Sequence, residues 1–230
     1  MLVLSFFMLY EQIKYKISEE QKDMNELNGI LVGIPKETAN MQLPDPDLRD
    51  FYRDEQDRIF WLSEAVEDCA EDLIKMIMRS NKEDKGLSVE ERKPIKIFID
   101  SPGGDVIFMN SIIKAIEISK TPVWTINYCT AYSAASLILA AGHKRYALPG
   151  SHVLVHNGYC SYSGEASQVE STKKYFDKLN KVINDWFLSK TKIDPKAYKK
   201  KAISDWFMTA EESLENGIVD RIIENFDEIF

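Results

Sequence analysis

IKIFIDSPGGDVIFMNSIIKAIEIS, residues 95–119, decides the architecture. IKIFID (95–100) is a short apolar run and predicts a strand. It passes straight into Ser101-Pro102-Gly103-Gly104. Beyond it Val106, Met109, Ile112, Ile113 and Ile116 recur at helical spacing. Two glycines between a strand end and a helix start permit backbone that a side chain would block. They also leave amides unpaired at a helix N-terminus, which suits an anion or an oxyanion. An ordinary strand-to-helix turn would look the same, so the segment alone assigns no chemistry.

The pattern repeats on both sides. Upstream, RIFWLS (58–63) predicts a strand and EAVEDCAEDLIKMIMRS (64–80) a helix. That helix has Val66, Cys69, Leu73 and Ile77 on one face, with acids early and basic residues late, as the helix dipole favours. NKEDKGLSVEERK (81–93) predicts a solvated loop. Downstream, PVWTINY (122–128) is a strand and AASLILAAG (134–142) a short buried helix. RYALP and HVLVH are short extended pieces. Residues 164–191 form the longest helical stretch, with an apolar stripe of Val169, Phe176, Leu179, Ile183 and Trp186. A short basic helix over 195–202 follows, then strand WFMT, helix AEESLEN with Gly217 as its C-cap, and strand IVDRII. Alternation of strands and helices throughout predicts an α/β fold with largely parallel pairing.

Composition narrows the classes. Of 230 residues, 44% are apolar and 29% charged, enough for a packed core. Lys plus Arg is 29 against 37 Asp plus Glu, a formal charge of -8. General nucleic-acid binding is disfavoured, because no excess of cations is there to neutralise phosphates. Cys69, Cys129 and Cys160 are widely spaced, with neither a disulfide framework nor a zinc pattern. Reduced cytosolic thiols are expected, with no metal and no catalytic cysteine. The opening MLVLSFFMLY is apolar over about nine residues, where a membrane span needs about twenty. It also lacks the flanks of a secretory signal. Leu2, Phe6, Leu9 and Ile13 share one face, as expected of a docked or subunit-facing helix. Residues 1–50 thus read as an extension and 51–230 as the main domain.

Two more segments carry reactive side chains. Ser133-Ala134-Ala135-Ser136-Leu137 follows an apolar strand. Ser133 is the better N-cap residue there, which leaves Ser136 without a structural duty. His156 ends the apolar run Val153-Leu154-Val155, where strand alternation places it on one face with Leu154. A satisfied core histidine would fit the same pattern.

Taken in order, SPGG, SAAS with its apolar helix and Ala-Gly, Leu-Pro, and VLVHN resemble the Clp protease proteolytic subunit family. DFYRDEQDRIFWLSEAVED resembles that family's opening strand and helix, and DWFMTAEESLENGIVDRII its closing segment. The resemblance covers about residues 47–225. It implies a crotonase/Clp-type ββα-spiral head with a protruding helical handle, here 164–191. It places the nucleophile on Ser136, the general base on His156 and the orienting acid on Asp205. The amides of Gly104 and Leu137 fall on the oxyanion hole. Serine needs a base to take its proton, imidazole serves near neutral pH, and a carboxylate fixes the imidazole tautomer.

The resemblance also implies stacked rings, usually of seven subunits, forming a cytoplasmic chamber. Folded substrates would be fed by an AAA+ unfoldase. This chain then needs no cofactor: ATP belongs to the partner, and no P-loop pattern G-x-x-x-x-G-K-[ST] occurs here. Departures include Tyr132 at a position where the family has a small residue four before the nucleophile. Asn157-Gly158 follows the histidine in place of Gln-Pro, and the interval from Ser136 to His156 is short. Rival readings are a catalytically impaired subunit or scaffold, a phage-type maturation or signal-peptide-degrading peptidase, and a crotonase-type acyl-CoA enzyme.

Overall fold

The computed structural model describes Arg49–Phe230, with side-chain exposure from Asp50 onward. The expected N-terminal extension and its Leu2, Phe6, Leu9, Ile13 face lie outside the described residues.

Helix α1 (Arg49–Asp57) leads into β1 (Ile59–Leu62) and α2 (Val66–Glu83). Then come a 3-10 turn (Val89–Glu91), β2 (Ile95–Ser101) and α3 (Val106–Ile118). β3 (Val123–Tyr132), α4 (Ala134–Ala141), β4 (Lys144–Ala147) and β5 (His152–Val155) follow. The chain closes with α5 (Ala166–Lys190), α6 (Pro195–Lys201), β6 (Trp206–Thr209), α7 (Ala210–Glu215), β7 (Arg221–Ile222) and a 3-10 turn (Phe226–Glu228).

The seven strands of the described residues join one sheet. Its main path runs β1-β2-β3-β4-β7, parallel at every step. β3 is the hinge of the design. Its first half, Trp124–Asn127, pairs with β4, and its last residues, Thr130–Tyr132, pair with β5. β6 then adds to β5 antiparallel. Between these halves the β2–β3 register slips, from Ile99↔Asn127 to Ser101↔Ala131. The irregularity frees β3 to leave one set of neighbours and join another. Asp100 braces it by accepting from the amide and hydroxyl of Thr130 at 3.2 and 2.6 Å.

Period two explains the core. Ile95, Ile97 and Ile99 face the helices and are fully buried with Val66, Leu73 and Ile77 of α2 and Ile112, Ile113 and Ile116 of α3. Phe98 points the other way, into a smaller cluster with Ile59, Ile126, Tyr146 and Ile229. Both faces of the central strands are covered, as a parallel sheet requires. Thr125 of β3 is buried and donates to the Leu139 carbonyl at 2.7 Å.

The 25-residue helix α5 covers the stretch expected to form a handle. Only Ile183 and Phe187 of it are buried. The predicted stripe is largely used within the chain. Leu179 and Trp186 pack on the main core, Ile183 is buried, and Phe176 meets Tyr162. The large apolar side chains that α5 leaves exposed are Tyr175 and Val182, at 56% and 63%.

At the other end, α7 closes in a Schellman arrangement. Gly217 has φ +67°, its amide bonds the Leu214 carbonyl, and the Ile218 amide bonds that of Ser213. The predicted closing strand IVDRII shrinks to Arg221–Ile222. Among the described residues no helix is long and apolar enough to cross a membrane.

Candidate active site

Three strand ends meet at one edge of the β3–β5–β6 ribbon. β3 ends at Tyr132 and α4 begins at Ala134, so Ser133 alone makes the turn. Its backbone sits at φ 52°, ψ -121°. A serine with positive φ is uncommon and costs on the order of 1–3 kcal/mol, so its surroundings must hold it. They do: the Ser133 amide donates to the Leu154 carbonyl at 2.9 Å. Its carbonyl accepts the Ser136 amide at 3.0 Å and the Ser136 hydroxyl at 2.6 Å.

His156 follows β5 directly. Because Tyr132 pairs with Leu154, the residues just beyond them emerge side by side. His156 Nε2 lies 2.7 Å from Ser133 Oγ. β6 completes the set. Val155 opposes Trp206 in the antiparallel ladder, so His156 and Asp205 leave it face to face. His156 Nδ1 stands 3.3 Å from Asp205 Oδ1. The imidazole therefore has a hydroxyl on one nitrogen and a carboxylate on the other. Asp205 is the open end, with its side chain 59% exposed against 25% for His156. The strand after the base is pinned too: the Asn157 amide donates to the Ala202 carbonyl at 2.8 Å.

His156 and Asp205 come together as the sequence predicts; Ser136 does not join them. Ser136 is fully buried within the first turn of α4, and its hydroxyl is spent on the Ser133 carbonyl. The serine on the imidazole is Ser133, three residues earlier. Ser133 occupies the N-cap position but makes no side-chain cap bond. The sequence argument failed at this step: it assigned Ser133 to capping, and capping needs a backbone this residue does not have. The observed strand and helix leave one residue between them, and there a side chain stands clear of both. The expected strand stops at Tyr128 and leaves five residues, 129–133, ahead of the helix, so the junction did not single out Ser133.

The same shift moves the candidate amide donors. Gly104 lines the cleft beside Ser133, as does Ala134. Ala134 opens α4, so its amide has no preceding helical carbonyl to bond. Leu137 also lines the cleft, but it lies one turn inside the helix, where its amide's regular partner is the N-cap carbonyl. The Gly103–Gly104 loop is fixed from outside. The Gly103 amide donates to Ser101 Oγ at 3.2 Å, its carbonyl accepts the Val66 amide at 2.9 Å, and the Asp105 amide donates to Glu67 at 2.8 Å. Gly103 and Gly104 have φ of +102° and +148°, so both need glycine.

The cleft in front of Ser133 and His156 holds about 400 Å³. One wall is the loop 157–162, and the other is the inward face of α5. Among the described residues no group of three His, Cys, Asp or Glu side chains is placed to hold a metal ion. Cys160 is exposed beside the cleft, while burial, then Glu64 and Asp68, pushes the Cys69 thiol up to about 11.

A turn-borne serine, an imidazole on its hydroxyl and a carboxylate behind that imidazole, on an α/β frame, are the marks of a serine-type peptidase. The comparisons with known proteins place it more narrowly. The family model for Clp protease matches residues 50–226. The chain is 37% identical over 144 residues to the ATP-dependent Clp protease proteolytic subunit 2 of Treponema denticola, covering 62% of this chain and 72% of that protein. The chain belongs to the Clp protease family, and its parallel sheet flanked by helices is that family's fold.

Proposed function

We propose that this chain is an endopeptidase in which Ser133, rather than Ser136, attacks the scissile carbonyl. His156 Nε2 takes the Ser133 proton and returns it to the leaving amine. Asp205 holds the ring with Nδ1 protonated and stabilises the imidazolium. The amides of Gly104 and Ala134 receive the tetrahedral oxyanion. The observation that carries this reading is the 2.7 Å contact between His156 Nε2 and Ser133 Oγ. Counting from Ser133 also eases two departures from the family pattern. The position four before the nucleophile becomes Cys129, a small residue, and the interval to the histidine lengthens by three.

By extension from the family and from the name of the Treponema relative, the chain works as a ring-forming subunit in the cytoplasm, fed by an ATP-driven unfoldase. Rings of seven, stacked in pairs through the handles, fit the exposed Tyr175 and Val182 of α5, which a monomer would leave in water. No cofactor or metal enters the chemistry proposed.

A fluorophosphonate probe tests the assignment. Labelling of the wild type and of Ser136→Ala, with none of Ser133→Ala, is the expected result. Labelling that survives Ser133→Ala and vanishes with Ser136→Ala would return the nucleophile to Ser136. A sizing experiment that finds a stable monomer would remove the ring.

A further inference from the structure

The glycine loop that carries the Gly104 amide is stitched to one place, the first turn of α2. The N-cap residue of that helix, Ala65, makes no side-chain bond to it. Its first amides therefore need acceptors from outside. The Gly103 carbonyl supplies one, accepting the Val66 amide at 2.9 Å. Ser101 Oγ donates to the Glu64 carbonyl at 2.6 Å and accepts the Gly103 amide at 3.2 Å. Glu67 makes the return tie: its Oε2 accepts the Asp105 amide at 2.8 Å.

These bonds aim one amide. The peptide between Gly103 and Gly104 is trans, so its N–H points opposite to its C=O. With that carbonyl turned to Val66, the Gly104 N–H is directed away from α2. Gly104 lines the cleft together with Ser133 and Ala134. Val66 fixes the peptide plane before Gly104, and Glu67 fixes the plane after it. Gly104 itself, at φ +148°, has no side chain to resist rotation. A Cβ added there would run into Glu67 Oε2 and lie 2.8 Å from the Val66 nitrogen. The carboxylate thus fills the space the glycine leaves. On the far side the Asp105 carboxylate accepts the Ile107 and Phe108 amides at 2.7 and 3.2 Å, so Asp105 is also held to the start of α3.

We propose that Glu67 is a positioning residue for the oxyanion donor at Gly104. This rests on the peptidase reading above. Glu67 is not among the residues that line the cleft. It acts through the Asp105 amide, keeping the Gly104 peptide from turning as charge develops on the scissile carbonyl oxygen. A donor already in place needs no rearrangement at that moment. The role calls for an acceptor oxygen on a stem of this length, and not for a negative charge.

Steady-state cleavage of a short fluorogenic peptide by the full chain tests it, with urea unfolding of each variant beside it. Glu67→Ala is expected to lower kcat by about tenfold with KM nearly unchanged. Outright loss of an oxyanion donor costs about 10² to 10³-fold; the effect here is smaller because Val66 still holds the other plane. Glu67→Gln keeps the acceptor and the stem, and should restore kcat to within about threefold of wild type. Glu67→Asp keeps the charge on a shorter stem and should behave as Glu67→Ala; it serves if Glu67→Ala fails to fold. Fluorophosphonate labelling of Ser133 should slow in step with kcat. An unchanged kcat in Glu67→Ala, a loss that appears only in KM, or an equal loss in Glu67→Gln overturns the inference while leaving cleavage intact. If the wild type cleaves no peptide and Ser133 takes no probe, the peptidase reading falls instead.

Discussion

The carbonyl of Leu154 accepts the amide of Ser133 at 2.9 Å, two residues before His156, which follows β5 directly. The proposed nucleophile and base are thus fixed to one piece of backbone. The bond holds the strained turn at Ser133, and β5 delivers the imidazole at a set distance from it. No loop has to close to bring the 2.7 Å contact into being.

Asp205 is held less firmly, by one ladder position and one 3.3 Å contact. Asparagine there would leave the geometry but present an amide to Nδ1, favouring the wrong tautomer. For a fully enclosed acid the loss is about 10⁴-fold in kcat. The Asp205 side chain is 59% exposed, so water can partly replace it. Asp205→Asn is therefore expected to lower kcat by about 10² to 10³-fold, with little change in KM. Steady-state cleavage of a short peptide checks this, and an unchanged kcat would remove Asp205 from the mechanism.

Ser136 is expected to matter for stability more than for chemistry. Its hydroxyl bond to the Ser133 carbonyl is short, at 2.6 Å, but that carbonyl keeps the Ser136 amide when the hydroxyl is removed. No buried acceptor is orphaned. Ser136→Ala should cost about 1 kcal/mol in urea unfolding, the usual net worth of one such bond. Peptidase activity should fall by less than about tenfold, against a loss on the order of 10⁴-fold or more for Ser133→Ala.

Much of this arrangement was legible in the sequence, and the misses share a cause. The apolar runs of β1, β2, β5 and β6 and the periodic faces of α2, α3 and α5 follow from burial alone, which composition records. β3 was read as ending at Tyr128, yet it continues to Tyr132. The extra residues, Cys129 to Tyr132, are not a uniform apolar run; the last three of them pair with β5, past the register slip. Bending comes from a register slip between two strands, which no local pattern reports. Ser133 was missed for a related reason. Its role depends on a positive φ imposed by neighbours distant in sequence, while its local context, ahead of an apolar helix, is that of a cap. IVDRII was over-read because an apolar run predicts burial, and here Ile218 and Val219 are buried without strand pairing.

The ion pair between Arg58 and Asp84 gives the fold an acid-sensitive tie. Arg58 donates to both carboxylate oxygens of Asp84, at 2.7 and 2.8 Å, and the Thr121 hydroxyl donates at 2.8 Å. Burial alone would push the Asp84 carboxyl up. The bonds from Arg58 and Thr121 outweigh it and hold the group below its ordinary range. A carboxyl depressed in the folded state stabilises the fold fully above its unfolded value of about 3.9. That contribution is lost as pH falls through the folded value. Urea unfolding should therefore show stability declining below about pH 4. Asp84→Asn should flatten that decline. At pH 7, Asp84→Ala should cost about 2–3 kcal/mol, because Arg58 then keeps only Glu83 and the Lys93 carbonyl as partners.

Gly103 gives the sharpest test of how the two loops of the site interlock. A Cβ there would lie 2.6 Å from the Tyr132 carbonyl oxygen and 2.8 Å from the Ser133 Cβ. Both are closer than real Cβ contacts come, and one is to backbone that β3 pairing holds. At φ +102° alanine would be strained even in open space. The Ser133 turn, itself strained, is the part able to yield. Gly103→Ala should therefore push Ser133 off His156, lowering kcat by about 10²-fold or more, as small displacements of a reacting group do. Fluorophosphonate labelling should slow in step. Gly150→Ala is the control, since its Cβ meets nothing within 4 Å while its φ of +79° imposes similar backbone strain. It should lose stability of about 1 kcal/mol and keep its labelling rate. Equal slowing in the two variants would mean that backbone strain alone, rather than the contact with Ser133, sets the effect.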